Sequence, residues 1–175
     1  MSDALSYTLR PARQDDIERL AAVQLGAGAM FRAIGMDEIA NTAPLPDDFL
    51  RSFVRSGLAF VAVGETDRPI GFALASPLDT GLHLYEISVE PAHGRRGVGG
   101  RLLASLCDEA KARGLQAVTL STFRDVPWNA PFYMRHGFRS LTRADWTPGF
   151  YVLRLREEDS GLPVDRRCFM RKDLT

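Results

Sequence analysis

The sequence predicts a single α/β domain spanning residues 1–175, with a mixed central sheet of about six to seven strands and helices on both faces. Three observations carry this reading. Three β-rich runs lie close together between Leu58 and Val89, separated by turn signals. A helix-periodic stretch follows at once from Gly97. The order of elements fits neither a regular βαβ repeat nor an all-β pattern, and no internal repeat or long linker divides the chain.

Taken in order, Tyr7–Pro11 alternates apolar and polar residues and reads as a first strand. Gln14, Asp15 and Asp16 open a helical pattern through Ile17, Leu20, Ala21 and Gln24, with acids where the helix dipole favours them. The stretch from Gly26 to Pro46 is punctuated by Gly, Ala and Pro and is expected to be a loop. Asp47–Ser56 reads as a short helix with Asp47 or Asp48 near its cap, ended by Gly57. Leu58–Val63, Ile70–Ala75 and Leu82–Val89 form an expected antiparallel meander. Val98, Leu102, Leu103, Leu106, Cys107 and Ala110 then line one face of a helix ending near Gly114. Gln116–Leu120 is another strand, "WNAPFYMRHG" a short helix, and Phe138–Leu141 and Arg167–Arg171 terminal strands. Asp159–Pro163 reads as an exposed turn between hairpin arms.

Composition narrows the function. Lys+Arg and Asp+Glu both number 22, so net charge supports neither a nucleic-acid partner nor a membrane surface. Cys107 and Cys168 are the only cysteines, and neither has a histidine at ligand spacing, so no metal is expected. Cys107 falls on the apolar helix face and reads as a buried small hydrophobe. The opening "MSDALSYTLR" has no charged-then-apolar leader, so a cytoplasmic location is expected.

The most informative stretch is "SVEPAHGRRGVGGRLL", Ser88–Leu103, where a strand-like run meets four glycines and three arginines at the mouth of a helix. The first N–H groups of a helix lack intrahelical partners and carry partial positive charge, so an anion docks there readily. Gly97 and Gly99 remove side chains from the approach, and positive φ at these glycines would let successive amides converge on one point. Arg95 and Arg96 add rim charge; the alternative is an ordinary glycine-rich turn with solvated arginines. No Lys-Ser/Thr follows the last glycine, as a nucleoside-triphosphate loop requires, and no acid closes the next strand, as a dinucleotide fold requires.

"VEPAHGRRGVGGRLL" resembles the acyl-CoA pyrophosphate motif of the Gcn5-related N-acetyltransferase (GNAT) family, Q/R-x-x-G-x-G/A after a strand ending V-x-P. Val89-Glu90-Pro91 matches the strand end and Gly97-Val98-Gly99 the G-x-G, while Gly94 replaces the Q/R residue and keeps only its backbone there. The resemblance implies an acyl-CoA N-acyltransferase fold with acetyl-CoA as cosubstrate. It places the backbone of Ile87, Ser88 and Val89 against the pantetheine amides by strand addition. It places the loop of Gly94, Arg95, Arg96, Gly97, Val98, Gly99 and Gly100 against the pyrophosphate.

"FRDVPWNAPFYMRHGF", Phe123–Phe138, resembles the second motif of the family. That resemblance implies Asn129 and Phe132 along the pantetheine arm and Tyr133 beside the thioester sulfur. A protonated phenol suits the role of acid toward a departing thiolate, although an aromatic on a short helix is also ordinary packing. Strand alternation puts His83, Tyr85, Ile87 and Val89 on one face, and the position of His83 commonly carries a base in this family. Glu86 is the second choice, and a water chain the third. His93 flanks the anion loop and His136 ends a helix, and Trp128 is read as a cleft wall or simply a packing residue.

The expected function is direct transfer of acetyl from acetyl-CoA to a primary amine of a small molecule or peptide. The alternative is a catalytically silent acyl-CoA-binding sensor; a purely structural subunit fits the glycine loop less well. Gly26–Pro46, holding Met30, Phe31, Arg32 and Met36, is expected to meet the acceptor. "DWTPGFY", Asp145–Tyr151, is read as a second wall or a dimer contact, and a homodimer is left open.

Overall fold

The computed structural model describes residues 7–174. Its strands are β1 (Thr8–Pro11), β2 (Ala59–Val63), β3 (Pro69–Leu78), β4 (Gly81–Val89), β5 (Ala117–Phe123), β6 (Arg139–Ser140) and β7 (Arg167–Asp173). They form one seven-stranded sheet in the order β1-β2-β3-β4-β5-β7-β6. The helices are α1 (Ile17–Gly28), α2 (Asp37–Ala40), α3 (Asp47–Arg55), α4 (Val98–Ala112), α5 (Ala130–Arg135) and α6 (Pro148–Asp159). β4 and β5 pair in parallel while β1–β2, β2–β3, β5–β7 and β6–β7 pair antiparallel, so the sheet is mixed as expected. A parallel pair needs a crossover, and α4 is that connection. The chain divides into two compact units, residues 7–75 with 86–104 and residues 76–85 with 105–174.

In the first unit Ile17, Leu20 and Val23 recur at helical spacing on α1 and bury one stripe. With Leu50 and Phe53 of α3 they pack on Val61 and Val63 of β2 and Phe72 and Leu74 of β3. Each such side chain is worth about 1.5–3 kcal/mol when fully buried. Asp16 fixes the entry to α1 by accepting the Arg13 N–H at 2.7 Å and both ends of the Arg10 guanidinium at 2.8 and 3.0 Å. The preceding residue to Phe72, Gly71, points to the other face of the strand. A Cβ at Gly71 would lie 3.1 Å from the Ser88 carbonyl oxygen and 3.3 Å from Val98. Its absence lets the first turn of α4 close on β3. Helices therefore cover both faces of the sheet in this unit.

In the second unit β5 is the central strand and pairs with β7 from Ala117↔Asp173 to Phe123↔Arg167. The β4–β5 ladder is shorter, running from Gly81↔Ala117 only to Leu84↔Leu120. The later part of α4 buries Leu106, Cys107 and Ala110, as its apolar stripe predicts. α6 contributes Phe150, whose ring stands 4.9 Å from that of Phe169 on β7, and the buried Arg154.

Two expectations are corrected. The proposed loop Gly26–Pro46 is mostly helical: α1 runs to Gly28, a 3-10 turn spans Ala29–Ile34, and α2 follows. Gly26 and Gly28 do not stop the helix; the break is Gly35, at φ 73°, a conformation natural only to glycine. The hairpin arms around Asp159–Pro163 are absent, because the turn at Gly161 (φ 75°) follows a helix, α6. That helix has Pro148 in its first turn, a favoured position, but its apolar residues form no stripe: Tyr151, Val152 and Leu155 are exposed while Arg154 is buried. As expected, Asp47 and Asp48 lie next to the cap of α3, in its first turn after the N-cap residue Pro46.

Candidate active site

The loop that joins β4 to α4 is built by two left-handed residues. A 3-10 turn at Pro91–His93 ends the strand, with the His93 N–H bonded to the Glu90 carbonyl at 2.8 Å. Arg95 then takes φ 58° and Gly97 φ 80°, which turns the chain sharply into the helix. Left-handed φ costs an L-residue about 1–2 kcal/mol, so Arg95 is held there by its surroundings while Gly97 is there freely. Residues 94–97 are exposed, and Val98 is buried as the first residue of α4. Among the described residues, the first amide of this helix with a backbone acceptor is Arg101, bonded to the Gly97 carbonyl at 3.0 Å. Gly99 and Gly100 lie inside the first turn, so Gly99 does not take the positive φ expected of it. Once the helix starts at Val98, its φ is set by the helix.

Two side chains frame the loop. The Tyr7 hydroxyl would be 3.6 Å from a Cβ on Gly97, and the Arg101 guanidinium lies 5.1 Å above the Tyr7 ring. Tyr7 carried no signal in the sequence beyond its place in the first strand. Beside the loop, Glu90 is paired with Arg19, and His93 has a buried Nδ1 without a partner.

Along the C-terminal half of β4, Ser88 is buried and Ile87 and Val89 are half-buried. The Ser88 hydroxyl donates to Glu86 at 2.6 Å. Gln24 donates to the other Glu86 oxygen at 3.4 Å and accepts the Leu45 N–H at 2.8 Å, joining α1, β4 and the chain before α3.

The remaining expected residues belong to the second unit. Asn129 occupies the N-cap position of α5, and its carbonyl accepts the Tyr133 N–H at 3.2 Å. Its Oδ1 is buried with no hydrogen-bond partner, an acceptor awaiting a donor. Phe132 and Tyr133 stack edge to face at 5.1 Å, and Tyr133, only 6 % exposed, also meets Phe138. His83 is 2 % exposed, with Nδ1 2.9 Å from the Thr119 hydroxyl and its ring against Tyr85 and Phe150. The contact with Tyr85 bears out that these two share a face. Burial pushes the imidazole pKa down to about 4. Thr119, the partner of His83, had not been singled out. Cys107 is a buried thiol whose pKa burial raises, so it is inert as a nucleophile.

The model of the acetyltransferase (GNAT) family matches residues 13–138. The chain belongs to that family. Its structure is similar to an acetyltransferase of the GNAT family from Staphylococcus aureus Mu50, with 16 % identity, 97 % of this chain and 100 % of that one covered, and a TM-score of 0.72. It is also similar to the PaiA N-acetyltransferase from Thermoplasma acidophilum in complex with coenzyme A (17 % identity, 96 % and 99 % covered, TM-score 0.64). A third similar structure is the ribosomal-protein-S18-alanine N-acetyltransferase from Escherichia coli (20 % identity, 97 % and 95 % covered, TM-score 0.65). No helix among the described residues is long and apolar enough to cross a membrane.

Proposed function

We propose that the chain works as one acetyltransferase domain that transfers acetyl from acetyl-CoA to a primary amine of a small molecule or peptide, by direct attack, in the cytoplasm. The observation that carries this reading is the left-handed pair Arg95 and Gly97 opening α4, which leaves the amides at the helix mouth free for a pyrophosphate. The residues present fit such a ligand. Gly94, Arg95, Arg96, Gly97, Val98, Gly99 and Gly100 would hold its phosphates by backbone and rim charge. Ile87, Ser88 and Val89, beyond the last rung of the β4–β5 ladder, would pair with its amides. The orphaned Oδ1 of Asn129 would accept an amide N–H, with Phe132 packed alongside.

Acetyl-CoA supplies an activated acyl group and a thiol leaving group. The Tyr133 phenol is the proposed acid toward sulfur. His83 is the proposed proton acceptor: burial holds it neutral, and a neutral imidazole carries one basic ring nitrogen. The coenzyme A complex of the PaiA enzyme supports the donor, and the alanine substrate named for the Escherichia coli enzyme supports an amine acceptor.

An amine panel with acetyl-CoA, followed by thiol release, tests the reading. Turnover with at least one amine is expected; coenzyme A binding without turnover of any amine would leave the silent-sensor alternative. Gly97→Val should abolish coenzyme A binding in a folded protein. Tyr133→Phe should lower turnover roughly 10²-fold at unchanged donor affinity. If Glu86→Gln, and not His83→Gln, removes the acidic limb of the pH profile with an acceptor of low pKa, the base is Glu86.

A further inference from the structure

The second unit contains a cavity of about 340 Å³ that shares no residue with the proposed donor and catalytic set. Arg124 at the exit of β5, Arg143 and Trp146 between β6 and α6, Arg154 of α6, and Arg167 and Phe169 of β7 line it. Pockets of this size hold small molecules.

Its charges are not balanced from within. Arg167 is paired with Glu157 at 2.8 Å, and Arg154 reaches the same carboxylate only at 3.8 Å. Glu158 and Asp165 are exposed at the rim, and neither makes an ion pair among the described residues. Arg124 donates to the Arg167 carbonyl at 3.0 Å, and Arg143 lies 3.9 Å above the Trp146 ring. Neither has a carboxylate partner among the described residues.

Arg154 is the telling residue. It is 7 % exposed, its Nη1 donates to the Val164 carbonyl at 2.5 Å, and its Nε has no hydrogen-bond partner, the nearest carboxylate oxygen being the equally unpartnered Glu157 Oε2 at 3.8 Å. Burial, with the neighbouring charges of Arg143 and Arg167 against the attraction of Glu157 and Glu158, holds its pKa below the usual guanidinium range. Gathering like charges at low dielectric is costly, and an anion is what offsets it. The walls say what else the ligand carries. Trp146 and Phe169 meet edge to face at 4.9 Å, and the indole Nε1 is buried without an acceptor.

We propose that this cavity is a second ligand site, taking a small organic anion in which a carboxylate or phosphate is joined to a flat apolar body. The guanidiniums of Arg124 and Arg143, both exposed enough to reorient, hold the anionic oxygens in their planar forks. The half-buried indole of Trp146 meets the body, with the buried Phe169 ring behind it. The site does not depend on the acetyl-transfer reading.

The test uses the full chain with four probes: benzoate, phenyl phosphate, neutral benzamide and inorganic phosphate. Trp128→Phe leaves Trp146 as the sole tryptophan of the two in the chain, so its emission reports on the cavity. At least one of benzoate and phenyl phosphate is expected to change that emission, and the tighter of the two assigns the head group. Benzamide and inorganic phosphate should bind about tenfold or more weakly than that probe. Arg124→Gln with Arg143→Gln should weaken the aryl anion by about tenfold while coenzyme A affinity, read by calorimetry, stays as in the parent. Should the double variant fail to fold, Arg124→Gln alone carries the comparison. Benzamide binding as tightly as benzoate and phenyl phosphate, an unchanged double variant, inorganic phosphate matching phenyl phosphate, or silence of Trp146 toward every probe would each overturn the proposal.

Discussion

The interior of the first unit and the interior beneath α6 in the second are built on different principles. In the first, α1 and α3 bury Ile17, Leu20, Val23, Leu50 and Phe53 against Val61, Phe72 and Leu74, and the charges stay at the edge. Arg10, Asp16 and Asp67 form such an edge cluster at 2.8 Å. In the second, His83 and Thr119 are buried together, Ser121 donates to Glu157, and Glu157 in turn holds Arg167. Rings of Trp146, Phe150 and Phe169 fill the spaces between. Apolar burial is non-directional and tolerant of pH, whereas a buried polar network demands geometry and answers to protonation. The first interior chiefly builds the frame; the second holds groups that can bind or exchange protons.

The largest expected effect falls on the apolar interior. Phe72→Ala should cost about 3–5 kcal/mol in urea unfolding, equally at pH 5 and pH 8. A cost that changed with pH would mean that the two interiors are less distinct than their contacts indicate. In the polar interior Glu157→Gln removes the carboxylate that Arg167 and Arg154 share and should cost roughly 3 kcal/mol. In a double-mutant cycle with Arg167→Met the losses should fall well short of additive. Additive losses would show that the network is not coupled.

The pH dependence sharpens the contrast further. His83 is neutral when folded, with a pKa lowered from 6.5 to about 4, so the unfolded chain takes up the proton first. Its contribution is fully present above pH 6.5 and is lost as pH falls toward 4, by at most about 3 kcal/mol. Unfolding midpoints measured across this range should therefore fall less steeply in His83→Gln than in the parent. The smallest effect belongs to the loop: Arg95→Gly relieves left-handed strain but frees the unfolded chain, and stability should stay within about 0.5 kcal/mol. A larger loss would assign the Arg95 side chain a structural role.

Legibility followed the same division. The α4 stripe from Val98 to Ala110 was read correctly residue by residue, because one face of that helix is simply apolar. α6 was missed for the converse reason: its buried positions include Arg154, and three of its large apolar residues face solvent. Gly26 and Gly28 misled because propensity suggested a break there, whereas the helical chain continues as a 3-10 turn to Gly35. The loop Glu90–Gly100 was recognisable from residue type and order, yet its left-handed residues proved to be Arg95 and Gly97 rather than Gly97 and Gly99.

By itself the sequence determined the strand and helix periods of most elements, the family, and the place of the amide-rich loop. These are local properties, carried by spacing, by glycine and by helix ends. Only the tertiary structure decided that His83 is buried against Thr119 with a depressed pKa, that Asn129 keeps an orphaned acceptor, and that four arginines gather around one cavity. Burial and the company of other charges depend on residues far apart in the chain, and no local pattern encodes them.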